Sequence, residues 1–298
     1  MATSGHNGQL AQAWLSWDRE YTVWKLAGLP VQVSIQFLQR EWDEADWSAG
    51  DGPYMSAFRY GYAFSRHFGP THGTGDVEAI EVGNEPWHLD ASVYSDILLG
   101  LARGAKEADP RMKVLPGSFP LHELALRVNT THFEYLDALN VHTYSWAGAG
   151  SGRIGVHPES SVSWMRRDAL AFRRFRDQHA PGLPLWMTEF GWDSDSETED
   201  CAFHECVSGR AQAIYAVRGV LLLLRWGYER ATWFFYADLE SEEPGTFSRS
   251  GLMSTRTTGF VPKPAAVALE ALVATLGDTH FVGAVQESRD DLYVYTFG

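Results

Sequence analysis

Two glutamates in this sequence stand where an apolar run breaks into a turn. In VEAIEVGNEPWHLD, residues 77–90, Val77, Ala79, Ile80 and Val82 read as a strand. Pro86 cannot continue a hydrogen-bonded ladder, so Glu85 falls at that strand's carboxyl end. In LPLWMTEFGWDSD, residues 183–195, Glu189 falls in the same kind of place, before a Phe-Gly-Trp turn. Cleaving a glycosidic bond needs a pair of carboxyl groups, one to protonate the departing oxygen and one to attack or to activate water. The acid must keep its proton near neutral pH, and an ionised Glu189 would raise the pKa of Glu85 in the required direction. One glutamate at a strand end is ordinarily a solvated loop acid; the chemistry lies in the pair.

The elements that must position this pair follow from periodicity. Leu10, Trp14, Trp17, Tyr21 and Trp24 predict a helix within 8–28 whose single apolar face enters the core. PVQVSIQF at 30–37 predicts a strand, 54–67 a helix, and 77–84 the strand that ends near Glu85. Asp90 is a suitable N-cap for a helix over 91–106, with Tyr94, Ile97, Leu98, Leu101, Ala102 and Ala105 as its buried stripe. MKVLPGSF (112–119) and DALNVHTYS (137–145) read as strands flanking a partly helical 121–137. A helix over 161–178, the strand ending at Glu189, a helix over 208–226 and the strand RATWFFYAD (230–238) continue the alternation. The last helix, 264–276, begins at a proline and stops before Gly277. Such alternation predicts an α/β fold with parallel strands and helices outside. Neither a dinucleotide-binding glycine fingerprint nor GxxxxGK[ST] occurs, which favours a barrel over a nucleotide-binding open sheet.

The Gly-Asn-Glu-Pro of residues 83–86 and the Thr-Glu-Phe-Gly-Trp of residues 188–192 resemble the acid/base and nucleophile motifs of the clan A glycoside hydrolases. The order GNEP, His-Thr-Tyr (142–144), TEFGW and an aromatic eighth strand is similar to theirs throughout 30–276. The resemblance implies a TIM-type (β/α)8 barrel and a retaining mechanism, with Glu85 as acid/base on strand four and Glu189 as nucleophile on strand seven. It implies that Asn84 bonds a sugar 2-hydroxyl, that Tyr144 orients the nucleophile, and that Trp233 or Tyr236 offers a flat ring under a sugar. His142 points to the same side as Tyr144, because side chains on a strand alternate. Trp42, Trp47, Trp87 and Trp192 sit in or beside loops of the presumed active face, with Trp192 a candidate substrate contact.

The start of the sequence departs from that pattern. A full barrel requires two strand–helix units before residue 30, where one helix is found, and no position corresponds to the clan's arginine near the end of strand two. The expectation is an N-terminally truncated barrel over 1–277, with strands three to eight, and a β extension or the start of a β-domain over 278–298. An open barrel edge would call for pairing with another chain, a homo-oligomer included, or for local rearrangement. Two functions compete: an active retaining β-glycosidase acting on an oligo- or polysaccharide, and a catalytically impaired carbohydrate-binding or structural remnant.

Composition narrows the partners. The 298 residues, 45% hydrophobic, suffice for a large core, and the net charge of −14 argues against nucleic acid or an anionic membrane surface. An uncharged carbohydrate is compatible with it. No apolar run approaches the ~20 residues of a bilayer span, and residues 1–10 show no signal-peptide pattern, which leaves localisation open. Cys201 and Cys206 flank His204 without zinc-finger spacing, and either a local disulfide or two thiols fits them. With neither His-x-His at a strand end nor His-Glu-x-x-His on a helix, no metal and no cofactor is expected. The acidic run at 193–200 reads as solvated, with a bound cation as the alternative that could hold it.

Overall fold

The computed structural model describes residues 17–36, 45, 47–194, 205–241, 245–289 and 292–298. They fall into two units, one comprising residues up to Asn140 plus Arg176–Pro184, the other Val141–Phe175 plus Leu185–Gly298.

In the first unit, helix α1 (Trp17–Leu26) leads to strand β1 (Gln32–Ser34), helix α2 (Pro53–Phe68) and strand β2 (Ala79–Val82). Helix α3 (Ala91–Ala108) and strand β3 (Lys113–Pro116) follow, then short helices α4 (Leu121–Arg127) and α5 (Thr130–Phe133). The three strands form a parallel sheet in the order β1-β2-β3, with Val33 opposite Ile80 and Ile80 opposite Val114. All four residues of β2 are buried, the signature of a strand covered on both faces.

Helix α3 begins where Asp90 accepts hydrogen bonds from the amides of Ser92 and Val93, and its expected stripe is buried throughout. Each large apolar side chain in that stripe contributes roughly 1.5–3 kcal/mol through burial. Helices α2 and α3 touch backbone to backbone. A Cβ on Gly61 would lie 2.3 Å from the Leu101 carbonyl oxygen; one on Gly100 or Gly104 would lie 2.1 Å from that of Tyr54 or Phe58. The glycines in these helices are contact residues, which hydrophobic periodicity alone does not reveal.

Helix α1 departs from expectation: none of its residues is buried, and Trp24 is 47% exposed. Its anchor is local. Tyr21 packs edge-on against Phe68, Thr22 donates to Asp76 and Lys25 donates to the Thr74 carbonyl. Residues 8–16 of the expected helix, Trp14 among them, lie outside the described residues, as does Trp42.

Strand β4 (Leu139–His142) and helix α6 (Trp164–His179) each contribute to both units. The second unit adds a two-stranded hairpin, β5 (Trp146–Ala147) with β6 (Ile154–Gly155), that no sequence pattern indicated. Strand β7 (Leu185–Phe190), helix α7 (Gly209–Arg225), strand β8 (Tyr228–Trp233) and helix α8 (Pro264–Leu276) complete the alternation. The sheet order is β4-β7-β8, with β7 and β8 parallel. Strands β9 (Phe281–Arg289) and β10 (Leu292–Phe297) form an antiparallel hairpin. Among the described residues no helix is long and apolar enough to cross a membrane.

The glycine contact yields a test. On helix propensity alone Gly104→Ala would gain about 1 kcal/mol, but the clash with Phe58 reverses the sign. A loss of roughly 1–3 kcal/mol in urea unfolding is expected.

Candidate active site

In the first unit, strand β2 runs into a turn that backbone conformation makes unusual. Gly83 has φ +101° and Glu85 φ +49°, the latter a left-handed conformation uncommon for a residue with a side chain. Trp87 N donates to the Glu85 carbonyl at 2.7 Å, closing the turn, and Asn84 and Glu85 are both half-buried. Two buried groups support it from below. The Tyr94 hydroxyl donates to the Val82 carbonyl at 2.7 Å and accepts from Gly117 N at 2.6 Å, so one side chain from α3 pairs the last carbonyl of β2 and the first amide beyond β3. Burial pushes the pKa of that hydroxyl far up. Gly117 must be a glycine, since a Cβ there would lie 2.6 Å from Gly83 O and 2.9 Å from Pro86 Cδ. The buried Arg127 donates to Leu89 O at 3.1 Å and stacks on Phe119. Trp87 is 55% exposed, its indole donating to Ser118 O.

In the second unit, Glu189 stands one residue before the end of β7 with its side chain 18% exposed. The Tyr144 hydroxyl donates to Glu189 Oε2 at 2.7 Å, and His142 Nδ1 lies 3.4 Å from Glu189 Oε1. Strand alternation puts both on the side of Glu189, and Thr143, which points the other way, donates to Asp168 at 3.0 Å.

Tyr144 is held by rings. Trp146 stacks on it at 4.8 Å, Phe247 lies tilted at 4.8 Å, and Phe234 meets it edge-on at 6.3 Å. Behind Trp146, Arg153 covers the indole at 4.4 Å and donates to Glu205 at 2.6 Å.

The expected aromatic platforms divide differently. Trp192 is 1% exposed and its indole donates to Val156 O, so it has no face to offer a sugar. It packs instead against Gly219 of α7, whose missing side chain makes room for the indole. Trp233 donates to Ser250 O and, with Phe190, Leu223 and Leu272, lines an apolar cavity of about 240 Å3 toward the helices α7 and α8. Alternation sends Phe234, not Trp233, toward Tyr144, and the distance from Trp233 was too short a step for motif spacing to tell the two apart. Tyr236 is 58% exposed beside Phe260.

Asp193 corrects the reading of the acidic run. It is 1% exposed, and its carboxylate accepts from Phe247 N at 3.0 Å and Arg249 N at 2.9 Å. Residues 195–200 and Cys201 lie outside the described residues; Cys206 is disulfide-bonded.

No family model matches the sequence, and no curated protein matches it. Solved structures do. A family 39 glycoside hydrolase from Bacteroides cellulosilyticus WH2 superposes with a TM-score of 0.69 at 16% identity, covering 98% of this chain and 59% of that one. The fold is that of barrel glycosidases. A glucosidase from Croceicoccus marinus (TM-score 0.63, 16% identity) and an α-L-arabinofuranosidase from Thermotoga maritima (0.58, 15%) share it, each covered over 94% of this chain. This chain spans 56% and 58% of those two chains. The sheets of the two units, β1-β2-β3 and β4-β7-β8, are small and open, consistent with an incomplete barrel of this kind.

Asp193 gives a pH prediction. Burial, offset in part by its two amide donors and Lys263, raises its pKa from 3.8 to about 6. Between those values the folded protein binds more protons than the unfolded chain, so this group lowers stability as pH rises from about 4 to about 6. Asp193→Asn carries no such term. The variant's unfolding free energy relative to wild type should therefore shift in its favour by about 2.4 kcal/mol between pH 4 and pH 7, measured by paired urea titrations.

Proposed function

We propose that this protein is a retaining glycosidase acting on an oligo- or polysaccharide, with Glu189 the nucleophile and Glu85 the acid/base. The observation that carries the reading is the setting of Glu189, a partly accessible carboxylate at a strand end with the Tyr144 hydroxyl on one oxygen and His142 beside the other. Glu85, at the end of its own strand in a φ +49° turn, supports the reading independently, because backbone conformations of this kind cluster at functional positions.

In this mechanism Glu189 attacks the anomeric carbon as Glu85 transfers its proton to the departing oxygen. A glycosyl ester on Glu189 results. Glu85, now ionised, takes a proton from water, which opens the ester and restores both groups with net retention of anomeric configuration. Tyr144 holds Glu189 in line for attack and can turn its hydroxyl toward the ring oxygen as negative charge leaves the carboxylate. Asn84 is placed by sequence beside the acid/base to bind the sugar 2-hydroxyl. The names of the structural neighbours span different sugars, so the sugar and linkage are questions for a substrate screen.

An activated aryl glycoside separates the two carboxylates. Its leaving group needs no proton, so Glu85→Gln is expected to release a burst of phenol equal to the enzyme present and then turn over roughly 10²–10⁴-fold more slowly. Glu189→Gln is expected to release none. Release of the product with inverted configuration by NMR, or wild-type turnover in Glu189→Gln, would remove the double displacement. Sugar affinity without any released phenol in the wild type would identify a carbohydrate-binding protein instead. Tyr144→Phe, which deletes one oxygen, is expected to lower kcat roughly tenfold or more with little change in folding stability.

A further inference from the structure

Asp193 has no place in the chemistry just described, yet it is the most deeply enclosed carboxylate near the nucleophile's own strand. It follows β7 by three residues, and both its oxygens are used on one loop: Oδ2 accepts from Phe247 N and Oδ1 from Arg249 N. The same loop is tied back by Ser194 N, which donates to Arg249 O at 3.0 Å, and by Trp233, which donates to Ser250 O at 2.7 Å. Phe247 needs that support. Its φ is +71°, a backbone state that an L-residue does not hold by itself. In that state its ring lies 4.8 Å from the Tyr144 ring and 5.6 Å from that of Trp146.

From this chain of contacts we infer that Asp193 is a positioning residue for the nucleophile: by holding Phe247 in its left-handed conformation against Tyr144, it keeps the Tyr144 hydroxyl on Glu189. The inference rests on the reading of Glu189 as nucleophile and adds a control to it. The groups facing the Asp193 carboxylate come from two elements. Lys263, at the start of α8, donates to both oxygens of Asp238 and to Arg249 O. Asp238 and Arg249 come from the segment after β8, and Asp238 also accepts from Gly251 N. Thr246, next to Phe247, is bonded to Glu205, which Arg153 neutralises. Burial is the main cause of the raised pKa of Asp193, with the nearby Asp238 carboxylate adding to it and Lys263 opposing it. Proton uptake there turns one carboxylate oxygen into a hydroxyl, a weaker acceptor, so the hydrogen bond to one of the two loop amides weakens.

The test compares wild type, Asp193→Asn and Phe247→Ala in three measurements. Asparagine keeps the shape and one acceptor, so the amides of Phe247 and Arg249 are expected to exchange with deuterium faster in Asp193→Asn at pH 7; unchanged exchange would overturn the brace. With an aryl glycoside, both variants should lose roughly tenfold in kcat with KM little altered. The wild-type fall in kcat below about pH 6 should be absent from Asp193→Asn. Faster exchange with unchanged kcat and an unchanged acid limb would overturn the link to Glu189. If the wild type shows no turnover, the glycosidase reading fails separately, and the link is still read by fluorotyrosine labelling. The 19F resonance assigned by Tyr144→Phe must then move in Asp193→Asn, toward its position in Phe247→Ala, and a resonance that stays put in Asp193→Asn overturns the inference.

Discussion

A strand that ends inside a protein leaves backbone donors and acceptors that water cannot reach, and each must find a partner. That constraint organises both halves of this molecule. At the end of β2 it is met by the Tyr94 hydroxyl, which serves the Val82 carbonyl and the Gly117 amide at once. Beyond the end of β7 it is met by the Asp193 carboxylate, which serves two amides of the loop after β8. Each pins main chain close to the strand end that carries one of the two glutamates, Tyr94 beside Glu85 and Asp193 beyond Glu189.

Around Glu189 the supporting matter is aromatic rather than ionic. Tyr144, Trp146 and Phe247 form a mutually touching triad that Phe234 joins edge-on at Tyr144, so packing restricts the Tyr144 ring. Rings with few rotatable bonds lose little entropy on ordering, and offset and edge-on contacts add about 0.5–1.5 kcal/mol each beyond the area they bury. The ionic groups sit one layer out, where Arg153 with Glu205 and Lys263 with Asp238 fasten loops rather than reacting groups.

The order of elements was legible in the sequence because the periodicities are long and consistent. The last helix, 264–276, and the buried stripe of α3 are found where the pattern put them. What escaped was decided by single contacts. Trp24 repeats at helical spacing and is exposed, since period reports which side is apolar and not whether anything covers it. Trp192 and Trp233 share a motif's vicinity with Glu189 but face the helices, because a step of one residue reverses direction on a strand. Asp193 belongs to an acidic run and is enclosed, because the amides that enclose it arrive from more than fifty residues away. The hairpin of β5 and β6, with two-residue strands, is too short for any period to register.

The turn at Glu85 also has an energetic consequence for the choice of residue there. Left-handed backbone disfavours a side-chain-bearing residue by roughly 1–2 kcal/mol relative to glycine, and asparagine adopts it more readily than glutamate. At φ +49° the more stable occupant of position 85 would be glycine, then asparagine. A glutamate there is held against the local conformational preference, and the neighbouring contacts of the turn, the Trp87 amide on the Glu85 carbonyl among them, must offset that cost.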